Sequence, residues 1–230
     1  MKRFHYFYFL LLGLWCLPLW AQLNVVDAKG RKQGAWEKRF ENGKIRFRGQ
    51  FVDDVPVGSF EYFYENGRKR ALNVFRGKTG VAFSKQFDVN GVLQAEGIYK
   101  GEVRDSIWSF YDAAGLLILR ESYKKGVLDG ESVTYHPNGQ LAEMKTYVDG
   151  LKEGAWIQKL DNGTTTAKGE YKNDKLNGQA KYWDTSGTPV SSGAYVNGIQ
   201  HGTWIEYNEE GRPAFYVKYK WGKEVNRKGI

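Results

Sequence analysis

The chain has 230 residues, a formal charge of +8 and 41% hydrophobic residues, a balance that excludes a disordered chain and is typical of a folded protein. Its 28 glycines and 16% aromatic residues favour short strands joined by tight turns. Lysine and arginine are interspersed with aspartate and glutamate, so the positive charge indicates a solvated surface rather than a dedicated nucleic-acid interface.

Residues 1–21 have the pattern of a secretory signal peptide. Lys2 and Arg3 form a basic start, an uncharged apolar run covers residues 6–20, and the small Ala21 ends the segment. The run is shorter than the roughly 20 apolar residues that a membrane-spanning helix needs. We therefore expect export to the periplasm, the cell surface or the medium. Removal of the segment's two cations lowers the charge from +8 to +6.

The single cysteine, Cys16, lies inside that segment and follows Trp15. A lipoprotein signal needs a small residue before its cysteine, so lipidation is not expected. The mature chain would then have no cysteine, which excludes a disulfide and a thiolate metal site there. Packing alone must stabilise its fold.

A 24-residue repeat fills the rest of the chain. Glycine recurs at this interval without interruption, at Gly43, Gly67, Gly91, Gly115, Gly139, Gly163, Gly187 and Gly211. An aromatic residue follows each glycine eight positions later, at Phe51, Phe75, Tyr99, Tyr123, Tyr147, Tyr171, Tyr195 and Tyr219. We expect eight repeats over residues 34–224, an N-terminal cap at 22–33 and a C-terminal tail at 225–230.

Each repeat opens with a small residue, and a large ring often stands two positions further on. The small residues are Gly34, Gly58, Ala82, Ser106, Gly130, Gly154, Gly178 and Gly202. The rings are Trp36, Phe60, Trp108, Trp156 and Trp204. Three smaller residues interrupt this ring column, which is therefore less regular than the column from Phe51 to Tyr219. They are Ser84, Ser132 and Ala180.

Turn signals separate the aromatic residues. Asn42-Gly43 and four similar Asn-Gly pairs predict type I′ turns, in which both central residues have positive φ. A second turn follows each residue of the uninterrupted aromatic column, as at Asp53-Asp54. This spacing gives two short antiparallel strands per repeat. The sequence therefore predicts an all-β fold, an elongated, coiled single antiparallel sheet of about eight tandem β-hairpin repeats.

The repeated string Gly-x-Trp, Tyr-x-x-Asn-Gly and Gly-x-Tyr resembles the variant of the MORN (membrane occupation and recognition nexus) repeat over roughly residues 30–224. Within that group the chain is similar to bacterial proteins of the YwqK antitoxin-like family. The resemblance implies a β-hairpin array that binds other molecules and performs no chemistry. Members labelled antitoxins are thought to neutralise a toxin by binding it. The export signal of this chain would shift such a role towards immunity against an exported toxin.

The sequence offers no convergent set of catalytic residues. His136 stands at a turn position that Asp88, Asp112 and Asp184 occupy in other repeats, where such residues bond to their own backbone. A histidine-carboxylate metal site is the alternative, but equivalent positions in adjacent repeats lie two strands, or about 10 Å, apart. His201 has no evident partner. We therefore expect no enzyme activity, no cofactor and no metal site.

The rings allow two interpretations, a packed core or an exposed surface for a protein or sugar. The uninterrupted column from Phe51 to Tyr219 favours the core. The interrupted column is the better candidate for exposure, so Trp36, Trp108, Trp156 and Trp204 are hypothetical partner-binding residues. The leading hypothesis is an exported scaffold for a protein partner. A glycan or cell wall, an anionic membrane surface and immunity to an exported toxin stay open, and nucleic acid is the least favoured partner.

Overall fold

The computed structural model describes residues 22–230, and its regular elements are all β-strands. Nineteen strands form one open antiparallel sheet in which each strand pairs with its sequence neighbours. The predicted all-β fold of tandem hairpins in a single antiparallel sheet is confirmed. No helix within residues 22–230 is long and apolar enough to cross a membrane. The predicted signal peptide lies outside the described residues.

The strands are short and follow one another closely along the chain. Their bounds are β1 Val25–Val26, β2 Lys32–Arg39, β3 Ile45–Val52, β4 Val55–Phe63, β5 Lys69–Phe75, β6 Val81–Phe87, β7 Leu93–Lys100, β8 Val103–Tyr111, β9 Leu117–Lys124, β10 Val127–Tyr135, β11 Leu141–Val148, β12 Leu151–Lys159, β13 Thr165–Lys172, β14 Lys175–Leu176, β15 Gly178–Trp183, β16 Pro189–Val196, β17 Ile199–Tyr207, β18 Pro213–Lys220 and β19 Lys223–Gly229.

The strands β2 to β18 form eight hairpins that follow the 24-residue period, with β14 and β15 counted as one strand. They begin with the β2–β3 hairpin and end with β17–β18, and β14 and β15 are two pieces of one strand because both pair with β13. The short β1 covers one end of the sheet and β19 covers the other. With strands about 4.8 Å apart, the sheet measures about 80 Å from its first strand to its last.

The Asn-Gly turns differ from the predicted type I′ geometry. In the first hairpin the amide of Gly43 donates to the carbonyl of Phe40 (3.0 Å), and φ is +79° at Gly43 but not positive at Asn42. The prediction of two residues with positive φ is therefore wrong. The connection is a type I turn followed by a left-handed glycine, which causes a register shift in the β2–β3 pair. All eight glycines of this column have φ between +74° and +91°.

Type I′ turns instead connect one repeat to the next. Asp53 and Asp54 both have positive φ (54° and 66°), and they join the paired residues Val52 and Val55 directly. The pairs Lys125-Gly126, Asp149-Gly150, Asn173-Asp174, Asn197-Gly198 and Trp221-Gly222 share this conformation. These two-residue turns match the right-handed twist of the strands that they join.

The small residues that open the repeats form a column of bulges. Seven of the eight have positive φ, and only Ala82 does not. The register of β3 against β4 shifts next to Gly58, whereas β5 and β6 pair from Ala71–Gln86 to Phe75–Ala82 without a shift. The β6–β7 hairpin, here called the third hairpin, therefore lacks the bulge, and a five-residue loop over residues 76–80 replaces the two-residue turn before it.

At Gly115 the cost of the left-handed backbone can be measured without a steric clash. The φ angle there is +80°, and an added Cβ would meet no atom within 4 Å. We expect Gly115→Ala to lower the free energy of unfolding by about 1–2 kcal/mol, the cost of a left-handed alanine. Gly115→Asn should recover part of this loss, since asparagine tolerates that conformation. Chemical denaturation of the three proteins measures the difference. Equal stability of the alanine variant and the wild type would contradict the turn geometry.

Candidate functional site

The aromatic face of the sheet, defined by the column from Trp36 to Trp204, is built from rings that lie on glycines. A Cβ added to Gly97 would fall 2.5 Å from the indole of Trp108, so only glycine leaves room for this ring. The same arrangement occurs three times, with Phe60 on Gly49, Trp108 on Gly97 and Trp204 on Gly193. In each case the glycine stands on the preceding strand, eleven residues before the ring.

Each seated indole is also held by a hydrogen bond and by a neighbouring ring. The Nε1 atom of Trp108 donates to the carbonyl of Ile98 (2.9 Å), and its ring packs edge-on against Tyr99 with centroids 4.8 Å apart. Trp204 repeats this pattern, with its Nε1 atom donating to the carbonyl of Ala194 (3.1 Å). Such edge-on pairs stabilise beyond their buried area.

The interrupted ring column therefore forms the core, and its predicted exposure is wrong. Trp108, Trp204 and Trp156 expose 0%, 2% and 7% of their surface, and only Trp36, near the end of the sheet, is half-buried. The uninterrupted column from Phe51 to Tyr219, for which a core position was expected, is half-buried at all eight positions. The rings of the interrupted column are buried because they lie on glycines of the neighbouring strand. The spacing of residues along the sequence does not show this contact, because it forms between two strands.

The three interruptions of the ring column are accommodated in different ways. At Ser132 the partner on the preceding strand is Glu121 instead of glycine, and the hydroxyl of Tyr123 donates to this carboxylate (2.6 Å). The longer side chain of Glu121 thus occupies space that a ring fills in other repeats.

At Ala180 a neighbouring indole occupies the free volume. Lys145 pairs with Trp156 where a glycine would normally stand. A Cβ on Gly169 would lie 3.3 Å from the ring of Trp156 and 3.3 Å from Ala180, so this indole lies on the following glycine. Its Nε1 atom donates to Glu143 (3.0 Å). Burial raises the pKa of Glu143, but hydrogen bonds from cationic and neutral donors outweigh this effect and lower it below the usual value.

At Ser84 neither of these two arrangements fills the space that the missing ring leaves. Its partner on the preceding strand is Asn73, and Gly97 on the following strand already carries Trp108. A serine and an asparagine have much less volume than an indole on a glycine. A cavity of about 750 Å³ lies on the aromatic face of the third hairpin, and Asn73 and Ser84 are among its lining residues. This volume lies within the range of small-molecule binding sites.

The cavity runs parallel to the strands. It extends from Tyr64 and Phe87, near the turns within the hairpins, to Gly80 and Gly101, near the turns between repeats. Aromatic and amide side chains dominate its walls. The lining residues are Pro56, Tyr62, Tyr64, Arg70, Ala71, Asn73, Phe75, Gly80, Ala82, Ser84, Gln86, Phe87, Gln94, Tyr99, Gly101 and Glu102. The gap at Ser84 is visible in the sequence, whereas the cavity beside it becomes visible only in the structure.

Two buried polar atoms at the cavity have no hydrogen-bond partner within the described residues. They are the Oδ1 atom of Asn73 and the Oγ atom of Ser84, and Ser84 is fully buried. Nearby, the amide nitrogen of Gln86 donates to the hydroxyl of Tyr99 (3.0 Å), which leaves that hydroxyl free to donate further. Burial raises the pKa of the Tyr62 hydroxyl, which therefore stays protonated at neutral pH. Buried polar groups without partners are uncommon in folded proteins.

The opposite face of the same hairpin carries an exposed apolar patch, defined by Val74, Phe83, Ile98 and Ile107. Val74 pairs with Phe83, and Phe83 pairs with Ile98, so three side chains on adjacent strands form one row. Val74 and Phe83 are each 43% exposed and Ile107 is 50% exposed. The next residues of this row are Ser59 and Ser122, which end the patch on both sides.

A second exposed apolar row lies beside the type I′ turns, at Val103, Val127, Leu151 and Ile199. Its members contact the next turn along the sheet: a Cβ on Gly126 would lie 3.1 Å from Val103, and one on Gly222 would lie 3.1 Å from Ile199. This row therefore has a structural role in packing adjacent turns. In the patch around Phe83, the ammonium group of Lys85 lies 5.9 Å from the centroid of the Phe83 ring.

The histidines have separate surroundings. The Nε2 atom of His136 lies 2.8 Å from the carbonyl of Lys159, and the backbone amide of His136 closes its turn. His201 packs against Trp221 with ring centroids 4.6 Å apart, and its Nδ1 atom is buried without a partner. Residues 22–230 contain no group of three histidine, cysteine or carboxylate side chains placed to hold a metal ion.

Comparison with protein families identifies part of the chain. Two segments match the MORN repeat variant. They are residues 32–53 and 128–149, which contain the β2–β3 and β10–β11 hairpins. Their first residues are 96 positions apart, four times the 24-residue period. No curated protein matches the chain.

The seat of Trp108 on Gly97 predicts strong coupling between these two residues. We expect Gly97→Ala to lower the free energy of unfolding by about 1–3 kcal/mol, because the added methyl group displaces a fully buried indole. In the Trp108→Ser background the same methyl group should cost much less. Denaturation of both single variants and the double variant measures this coupling. Additive effects would show that ring and glycine are independent.

Proposed function

We propose that this chain is an exported, non-enzymatic repeat scaffold that binds a protein partner through the apolar patch around Phe83. The match to the MORN repeat variant supports a binding role, because such repeats commonly mediate protein binding or membrane association. The observation that carries the proposal is the row of exposed apolar side chains on adjacent strands, in which Val74 and Phe83 are each 43% exposed and Ile107 is 50% exposed. Such patches on soluble proteins often mark interaction sites.

The patch has the composition of a protein interface. A partly exposed aromatic ring, Phe83, stands between the aliphatic side chains of Val74 and Ile98. An ion pair between Lys85 and Glu96 (3.3 Å) lies two register positions away, on the same face, and supplies a polar rim. An apolar centre with a charged rim is the usual anatomy of a binding surface.

The non-enzymatic part of the proposal rests on the interactions that shift the pKa values of the carboxylates. Carboxylates with a lowered pKa either pair with a cation or accept bonds from turn amides. Lys78 is the first cause of the lowered pKa of Asp53, and backbone bonds within its own turn lower the pKa of Asp88. Because these partners are structural, the shifts do not require a catalytic role.

Export and an immunity-type role are parts of the same proposal. The basic start and apolar run of residues 1–21 support export. An antitoxin-like protein outside the cytoplasm would act on an exported toxin, and a sheet with an exposed apolar patch around Phe83 suits neutralisation by binding. A protein partner covers a flat patch, whereas catalysis needs a cleft with convergent groups.

The patch predicts that one substitution abolishes partner binding. We expect Phe83→Asp to reduce recovery of the crosslinked partner from the envelope fraction at least tenfold, because a carboxylate would replace the apolar centre. Phe83 is already partly exposed, so the melting temperature should change little. Ala155→Asp is the matched control, since Ala155 is exposed at the same repeat position.

Recovery of the same protein partner with wild type and Ala155→Asp, and its loss with Phe83→Asp, would support the proposal. Recovery of lipid or glycan alone would overturn the protein-binding role. Equal recovery with both variants would show that the partner binds elsewhere on the sheet.

The targeting segment predicts the location of the protein. With a C-terminal tag, the full chain should appear in the periplasmic, envelope or secreted fraction of its host. Deletion of residues 2–21 should leave it in the cytoplasm, because the basic and apolar parts of the signal are lost. Immunoblots of the cell fractions measure the distribution, and an unchanged distribution after deletion would contradict export.

A further inference from the structure

We infer that the turns of the first two hairpins form a docking surface for an acidic segment of a protein partner. The surface, here called the basic turns, consists of residues 37–48 and 61–72. These residues include eight lysines and arginines and four glutamates, a net charge of +4. The inference deepens the proposed function and rests on it in one respect, the protein nature of the partner.

The charge of the basic turns is an exception among the repeats. The same segments of the six later hairpins contain six lysines and arginines against nine aspartates and glutamates, a net charge of −3. These segments are residues 85–96, 109–120, 133–144, 157–168, 181–192 and 205–216. The later hairpins form the same turns without the positive charge, so the fold does not require it. Its concentration favours a role in recognising an acidic partner.

The two charged segments are adjacent in the sheet, because β3 pairs with β4 and Phe47 stands opposite Tyr62. Three of the eight cations pair with glutamates of the same two hairpins, at N–O distances of 2.5–2.6 Å. The other five are exposed and have no carboxylate within 4 Å among residues 22–230. They are Lys38, Lys44, Arg46, Arg68 and Arg70. The basic turns therefore present cations that the chain itself does not neutralise.

Two of these arginines lie over aromatic rings. The guanidinium carbon of Arg46 is 5.9 Å from the centroid of Phe40, and that of Arg70 is 5.9 Å from the centroid of Tyr62. A ring contact restricts a long side chain, so less conformational entropy remains to be lost on binding. The planar guanidinium binds a carboxylate through two parallel hydrogen bonds.

Arg46 and Arg70 occupy the same position in adjacent repeats, on β3 and β5. Two strand spacings separate them, about 10 Å. An extended peptide covers this distance with about three residues. Nearby acidic side chains of one segment therefore reach both guanidinium groups. The later repeats have no charged residue at this position. They have Gln94, Ile118, Ala142, Thr166, Val190 and Ala214.

The tips of the basic turns argue against an anionic membrane as the partner. They have the sequences Glu-Asn-Gly-Lys at residues 41–44 and Glu-Asn-Gly-Arg at residues 65–68, without an apolar residue. Binding to a lipid surface combines cations with apolar side chains that enter the headgroup region. Glu41 and Glu65 would also face the anionic headgroups.

The rings beneath the arginines argue against a single-stranded nucleic acid. Such a partner stacks its bases on free aromatic faces. Arg46 lies over Phe40 and Arg70 lies over Tyr62, and Tyr62 also contacts Phe47 with ring centroids 6.1 Å apart. A carboxylate needs only the N–H groups of the guanidinium and leaves these ring contacts in place.

The basic turns lie close to the apolar patch around Phe83. Val74 belongs to that patch and stands four residues from Arg70 on β5, a distance of about 13 Å along the strand. A protein seated on the patch is therefore near enough to place an acidic segment on the basic turns. Complementary charge beside an apolar contact raises the rate of association and fixes the orientation of the partner.

The test uses the mature chain, residues 22–230, and a fluorescent 12-residue peptide of alternating glutamate and serine. Fluorescence anisotropy measures its binding at about 25 mM and about 200 mM salt. We expect the peptide to bind and its affinity to fall with added salt, because the cations are exposed. The same peptide with glutamine in place of glutamate should not bind. Phosphatidylglycerol vesicles and a single-stranded oligonucleotide serve as competitors.

Charge reversal at the two arginines should remove the site. We expect Arg46→Glu with Arg70→Glu to weaken peptide binding at least about tenfold, because carboxylates would face carboxylates. Lys168→Glu with Lys172→Glu is the matched control, since it changes the net charge equally at two exposed residues of β13, and it should weaken binding less than about twofold. Should the reversal unfold the chain, Arg46→Gln with Arg70→Gln decides, with an expected loss of about threefold.

The Phe83→Asp variant separates this inference from the proposed function. It should bind the glutamate peptide within about twofold of wild type, because the peptide has no apolar group for the patch. Peptide binding that persists in this variant supports the basic turns even where recovery of the envelope partner does not depend on Phe83.

Three results would overturn the inference. The glutamate peptide fails to bind at low salt, the two charge-reversed variants weaken binding equally, or the vesicles or the oligonucleotide bind more tightly than the peptide and depend on the same two arginines. The second result would show a response to net charge alone, and the third would assign the surface to a different class of partner.

Discussion

The contact between a ring and a glycine on the preceding strand is the constraint on which the rest of the sheet depends. Within residues 22–230 no second layer covers the aromatic face of the sheet, so each ring there is buried by its own neighbours along the strands. Glycine at positions such as Gly97 lets the indole reach the backbone, and rings such as Tyr99 cover its edge. Burying an aromatic side chain contributes about 1.5–3 kcal/mol, which explains why this pair recurs.

The third hairpin departs from this constraint on both faces. Its aromatic face lacks the ring at Ser84, and its opposite face exposes Phe83. It also lacks the bulge at Ala82, and a five-residue loop precedes it. An error in packing would be expected to affect one position. Departures at neighbouring residues distinguish this hairpin from the other repeats.

Much of the architecture could be predicted from the sequence, because a 24-residue period with turn residues at fixed positions leaves few alternatives. The turn types could not be assigned correctly, since the geometry at Asn42 depends on how the register of the two strands shifts. The burial of Trp108 depends on its contact with Gly97, and those residues become partners only when the strands pair. The gap at Ser84 is visible in the sequence, but its cavity depends on the identity of Asn73 opposite to it. Nothing in residue spacing distinguishes this gap from those at Ser132 and Ala180.

The pairing of each strand with its sequence neighbours also governs how the chain reaches its folded state. Every hairpin closes over a short stretch of chain, so the mean sequence separation of contacts does not grow as hairpins are added. Folding rates fall with this separation rather than with sheet size, and a β-sheet of this kind should fold faster than a sandwich of equal length. Structure can then propagate from any hairpin that forms first, while the growing chain still emerges from the ribosome.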